Sequence, residues 1–283
     1  MFTTFDDLVK PYLPSSRLWK GIAPPEVLTP AGGGCISHSG NPAFGFFDNF
    51  HTFNATTLEG PYANLTTASG DVILAADTAT EKGVLAFTLA GDTQEDESIL
   101  KWGGTLSAPF KLADNDLVFE ARLSMSAITA AKWNLAVGLG QADMITTDLL
   151  FTDSDVLADK NFLGFVKLAG EGAAVDAAYK ADGQTYQDGA TKTKLNALHT
   201  LVAATYVKLG FRYRAHPKKV EFYVDGVMPG GNLTPARLTT AEIDAATFPD
   251  DVFLAPIIGV KDSAGDAALT MNLDWWGCAQ LLG

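Results

Sequence analysis

The stretch KLGFRYRAHPKKVEFYVDGV, Lys208 to Val227, decides the fold. Starting one residue earlier, Val207, Leu209, Phe211 and Tyr213 alternate with Lys208, Gly210, Arg212 and Arg214. That two-residue period belongs to a strand buried on one face. The following segment repeats it, with Val220, Phe222 and Val224 pointing one way and Glu221, Tyr223 and Asp225 the other. AHPKK supplies a turn between the two, and DG ends the second strand. The expected unit is an antiparallel hairpin.

Working outward, short apolar strands are expected at 72–75, 84–89, 99–102, 110–112, 117–125, 133–139, 162–168, 173–179, 199–214, 220–224, 253–260 and 268–275. Glycine and Asp/Asn turns separate them, as in ADND at 113–116 and GEG at 170–172. Many short strands so punctuated indicate a sandwich or barrel. Helical signals are few. Thr239 with Glu242 three residues on forms a capping box for one short helix, and ADMITTDLLF offers a second. No internal repeat of fixed period points to a propeller or solenoid.

Residues 1–45 differ from the remainder of the chain. Pro11, Pro14, Pro24, Pro25 and Pro30 interrupt any regular ladder, while Phe2, Phe5, Tyr12, Leu18, Trp19 and Ile22 need burial. The segment reads as an extended arm, packed either on its own domain or on a neighbouring chain, ahead of one sandwich domain at 46–283. Composition narrows the rest. Acidic residues outnumber basic ones 33 to 20, a net charge of −13, which disfavours a phosphate-backbone partner and so nucleic acid. Apolar runs fall short of the ~18 residues a membrane helix needs, so no membrane partner is expected. The first residues do not look like a signal peptide, and synthesis in a cytoplasm is expected. Cys35 and Cys278 lack CxxC spacing and paired histidines, so no zinc site is expected. Free buried thiols are the reading; a disulfide between them would require an oxidising compartment.

DNFHTFN near the start, LVFEARLSMSAI and WNLAVGLG in the middle, YVKLGFRYRAHPKKVEFYVDGV, and a closing TMNLDWWGCAQ together resemble the concanavalin A-like jelly roll of legume lectins, laminin-G-like domains and family-16 glucanases. The resemblance implies an all-β, antiparallel jelly-roll sandwich with an extended N-terminal arm and one or two short helices. LKWGGTLSAPFKLADNDLVFEAR before FLGFVKLAGEG, and DDVFLAPIIGVKDSAG before DWW, also resemble structural proteins of tailed bacteriophages.

Retaining glycosidases place two carboxylates ~5 Å apart. In the glucanases these lie on one strand as Glu-x-Asp-x-(x)-Glu. The literal EID of this chain, Glu242–Asp244, sits in the capped helical turn and is followed by no second glutamate. Glu95–Glu97 and Asp153–Asp155 read as solvated loop pairs. His38, His51, His199 and His216 stand beside no nucleophile elbow. The oxygen-rich loops at 153–161 and 261–266 lack EF-hand spacing and read as solvated rather than calcium-binding. Sugar binding needs an exposed aromatic beside polar groups. Trp102, Trp133 and Trp276 are the aromatics considered for glycan or interface contact, with Trp275 facing the opposite way from Trp276.

These observations lead to an expectation of a non-enzymatic virion protein of a bacteriophage, without cofactor or metal. It would be made in the host cytoplasm and act on the capsid surface as a decoration or cement protein. Its partners would be the major capsid protein and copies of itself, for example as a trimer, with Tyr12, Leu18, Trp19 and Ile22 of the arm contacting the neighbour. The alternative is a lectin-like or receptor-binding module for surface glycans, and a third reading is a glycoside hydrolase.

Overall fold

The computed structural model describes residues 15, 18–19, 34–38, 41–50, 62–66, 72–75, 83–89, 96–104, 107–113, 115–128, 133–145, 151–152, 156–230, 234–263 and 269–281. Strands are numbered in chain order. The first sheet runs β1 (Gly34–His38), β2 (Asn41–Asp48), β17 (Leu269–Leu281), β8 (Leu117–Met125), β13 (Val207–Arg214), β14 (Lys219–Val224) and β15 (Arg237–Leu238). Alongside the first half of β17 lies β5 (Leu85–Leu89), with β4 (Val72–Ala75) beyond it. The second sheet runs β12 (His199–Thr200), β11 (Ala174–Lys180), β10 (Phe162–Lys167), β9 (Trp133–Gln141), β16 (Phe253–Asp262), β6 (Glu97–Trp102) and β3 (Tyr62–Thr66). At the start of β16 it also takes β7 (Phe110–Lys111). Neighbouring strands pair antiparallel, as the alternation predicts.

The hairpin that set the fold has its expected register, with Leu209 opposite Val224, Phe211 opposite Phe222 and Tyr213 opposite Val220. Its apolar face joins that of β8 and meets β9, β10, β11 and β16 of the other sheet in one core. Phe165 of β10 packs edge-on to Phe222 with ring centroids 5.6 Å apart, and Phe46 of β2 stacks on Trp102 of β6 at 4.5 Å. Each such buried ring contributes roughly 1.5–3 kcal/mol.

Four differences from the sequence reading have physical causes. The run at 199–214 is two strands, because 201–206 makes a turn in which Ala204 takes φ 55°. The last strand continues through Leu281, since Trp276–Leu281 finds a partner in β2. That pairing also places β1 and β2, at 34–48, in the first sheet, so sandwich strands begin inside the stretch read as arm. Of ADMITTDLLF, Ala142–Ile145 is a 3-10 turn and Phe151 makes an isolated bridge to Leu157, while 146–150 lie outside the described residues. The Thr239–Glu242 capping box forms as read and opens α1 (Thr240–Ile243).

A bulge between Leu273 and Trp275 sets the orientation of the paired tryptophans. Trp276 turns into the core, and Trp275 turns outward beside Phe47, with ring centroids 5.4 Å apart. The bulge residue Asp274 is ion-paired with Arg122, whose guanidinium lies 4.0 Å from the Tyr206 ring centroid.

Candidate functional site

Residues 193–198 face Pro229, Gly230 and Thr234 across a cavity of about 280 Å³. Its lining is Thr193, Lys194, Asn196, Ala197, Leu198, Pro229, Gly230 and Thr234. Hydroxyl, amide and backbone groups alternate there with the short apolar surfaces of Leu198 and Pro229. The volume lies just below the ~300–1,000 Å³ usual for small-molecule sites.

The first wall is held by charge beneath it. Leu198 donates its N–H to Val175 O of β11 at 2.9 Å, and Ala197 donates to Asp176 Oδ1 at 2.6 Å, which fixes Ala197 at φ 47°. Lys194 Nζ reaches Glu242 Oε2 of α1 at 2.5 Å, and Lys192 lies 3.5 Å from the same carboxylate. Glu242 remains below the usual carboxylate range: its burial opposes this, and Lys194 with the Thr239 cap overrides the burial. On the second wall, Ala236 donates its N–H to Pro229 O at 3.1 Å.

Behind the first wall, Glu171, Asp176 and Asp188 stand close enough to repel one another. Glu171 and Asp176 are both pushed above the carboxylate range, first by burial and then by neighbouring carboxylates. Tyr186 is likewise pushed up by burial and then by Asp188, Glu171 and Asp176. Asp188 Oδ1 accepts the N–H groups of Ala190 and Thr191 at 2.9 and 3.1 Å, so it caps its own turn. Glu171 Oε2 and the Tyr186 hydroxyl are buried atoms with no hydrogen-bond partner.

The outward face of the second sheet differs from the strand-borne carboxylate pattern. Its central strands point Gly138, Gly140, Phe162, Gly164, Val166, Ile257 and Gly259 outward. Ala136, Met144, Phe151, Leu157, Phe162, Val166 and Ile257 form a second apolar cluster on this side. Lys101 is enclosed beside it, donating to Ser107 O at 2.7 Å, and burial brings its ammonium down to about 8. Glu97, read as loop surface, is instead fully buried on β6 opposite Lys261. Glu95 and the Asp153–Asp155 pair lie outside the described residues, as does part of each oxygen-rich loop.

The tryptophans considered for glycan or interface contact are buried. Trp102, Trp133 and Trp276 are 4%, 2% and 0% exposed and belong to the main core, and Trp275 is 2% exposed. The strand alternation and the Trp275 bulge direct them inward or beneath Phe47. Of the arm residues, Tyr12 and Ile22 lie outside the described residues, while Leu18 and Trp19 are buried on the chain's own first sheet beside Val118, Tyr223 and Ala279. Cys278 is a free thiol in the core, pushed well up by burial, and His199 is pushed down by burial. Sequence reasoning overlooked Asn196, Thr193 and Thr234, since short polar loop residues carry no periodic signal. It also overlooked Phe253, a 60% exposed ring with Lys111 Nζ 6.0 Å from its centroid.

No protein-family model matches the chain, and no curated protein matches it. Solved structures do. An endo-1,3-β-glucanase from Streptomyces sioyaensis superposes with a TM-score of 0.51 at 15% identity, over 90% of this chain and 99% of that one. The carbohydrate recognition domain of Emp47p gives 0.51 at 10% identity, over 86% and 98%. A laminarinase from Flavobacterium sp. UMI-01 gives 0.52 at 10% identity, over 84% and 99%. The chain therefore has the concanavalin A-like jelly-roll fold of lectin-type domains and glucanases. One expectation is overturned here: two of these neighbours are enzymes of the same fold, so the exclusion of enzymatic activity from motifs does not stand. These neighbours give no support to the bacteriophage capsid expectation.

Proposed function

We propose that the protein binds carbohydrate, and that the cavity between 193–198 and Pro229, Gly230 and Thr234 receives a single sugar unit or the end of a glucan chain. The observation that carries this reading is the lining. Asn196, Thr193 and Thr234 offer donors and acceptors for ring hydroxyls, and Leu198 and Pro229 offer apolar surface for the C–H face of the ring. The fold's neighbours, a carbohydrate recognition domain and two enzymes named for 1,3-β-glucan and laminarin, favour the same class of ligand and make laminari-oligosaccharides the first choice.

Calorimetric titration of the full chain with laminari-oligosaccharides and a panel of free hexoses tests it. Binding is expected, and N196A combined with T234A should weaken it about tenfold or more, from two lost hydrogen bonds at ~1 kcal/mol each. No heat with any sugar, from a chain whose near-ultraviolet circular dichroism shows it folded, sinks the reading. Reducing ends measured in the same mixtures separate capture from cleavage. If they accumulate, Glu171 and Asp176 are the carboxyl groups to substitute first.

A further inference from the structure

A single oxygen of Glu242 is bonded to both walls of the cavity. Oε2 accepts Lys194 Nζ of the first wall at 2.5 Å, and the same atom accepts the Thr239 N–H at 2.8 Å and the Thr239 hydroxyl at 2.9 Å. Thr239 continues the second wall. Ala236 N donates to Pro229 O at 3.1 Å, Phe222 N donates to Ala236 O at 2.9 Å, and β15 then carries the chain directly to Thr239. Glu242 itself stands on a fixed post. Its neighbour Ile243 is fully buried in the main core, and the Thr240 hydroxyl donates to Lys218 O at 3.0 Å.

We propose that Glu242 is the clasp of the cavity: it joins the walls through Lys194 and Thr239, sets the width between them, and releases the first wall in acid. The ligand of the clasped cavity is the sugar of the carbohydrate reading, on which this step rests; the clasp itself is independent of it. The charges around Glu242 favour such a role. Lys194 and Lys192, the latter 3.5 Å from Oε1, face it from the first wall, and the Tyr179 hydroxyl of β11 is bonded to Lys192. Lys218, from the hairpin turn, is taken by Asp244 at 2.7 Å. Burial opposes ionisation of Glu242, and Lys194 with the Thr239 cap overrides the burial, so its carboxyl stays below the usual range. The clasp is therefore fully closed above the ordinary carboxylate range and is lost as pH falls through the lowered value. A sugar held by Thr193 and Asn196 on one wall and Thr234 on the other needs both at one separation. It binds the closed clasp and, reciprocally, makes Glu242 harder to protonate.

Two measurements on the full chain test the clasp. In the first, without sugar, NMR follows the Glu242 carboxyl and the amides of both walls downward from neutral pH. The amides of Lys194, Leu195, Gly230 and Thr234 should shift with the Glu242 midpoint, and E242Q should remove that transition. Asp176, raised rather than lowered, accounts only for a transition at higher pH. Wall amides that ignore the Glu242 midpoint overturn the proposal. In the second, laminari-oligosaccharide affinity at neutral pH should fall about tenfold in E242Q and in K194M, with no further loss when the two are combined, because each breaks the same charge-assisted bond. Losses that add, or an E242Q chain that binds as wild type does, overturn the clasp and leave sugar binding standing. A folded wild-type chain that binds no sugar sinks the carbohydrate reading alone, and the wall amides still decide the clasp. The wild-type titration stands even if a variant fails to fold.

Discussion

Glu120 is held above the carboxylate range because burial outweighs the hydrogen bonds from Ser15 and Trp19 and the attraction of Lys208. Solvated, without the burial, the same carboxyl returns to the ordinary carboxylate range. With Ser15 and Trp19 docked, Glu120 thus binds the proton more tightly than with them undocked. Docking is then strongest below the ordinary carboxylate range, weakens as pH rises through the raised value, and levels off above it. Amide exchange at Leu18 and Trp19 should show this slope, and E120Q should flatten it. A slope that survives E120Q assigns it to another group. At neutral pH E120Q should also loosen the arm by roughly 1–3 kcal/mol, since the Gln amide nitrogen meets donors where the carboxylate met them as an acceptor. Neither Glu120 nor Gly210 opposite it was legible as a site from sequence, because FEAR and LGFR read as ordinary alternation whose outward face is solvated. The outward face turned out to be covered, which periodicity does not encode.

At the scale of elements, the alternation rule explains which strands were foreseen. β8, β14 and β16 each bury an apolar row against antiparallel neighbours, and their limits fall within two residues of expectation, whereas β13 begins eight residues later than the run read at 199–214. β1 and β2 were hidden, since proline and glycine in GCISHSGNPAFGFF mask a hairpin that the final strand completes. The cavity loops were hidden for another reason: their positions follow from Asp176 and Glu242, distant residues on β11 and α1. The β9–β10 pair carries a sharper constraint. Gly138 lies opposite Gly164, and a Cβ on Gly164 would come within 2.2 Å of Val137 O. G164A should therefore cost about 3 kcal/mol or more, beyond the 1–3 kcal/mol of ordinary overpacking, because backbone must move. Urea unfolding checks this; a midpoint within experimental error of wild type would mean that the two strands are free to part.

For the whole molecule, fold and ligand class separate at the sheet faces. One shared core supports a second sheet whose outward centre is glycine and apolar, a side cavity with polar walls, and a first sheet on whose outward face Leu18 and Trp19 pack. Order along the chain also bears on how such a molecule is made. The strand at the centre of the first sheet, β17, bonds to β8 on one side and to β2 and β5 on the other, and it is the last of the described strands. At ~5–20 residues per second, translation from the end of β8 at Met125 to Leu269 takes roughly 7–30 s. Throughout that interval two half-sheets carry unpaired edges facing a gap. The nascent chain is thus a client for whatever shields open β-edges on the ribosome, and a circular permutant that emits 269–281 ahead of β8 should gain soluble yield where such help is scarce.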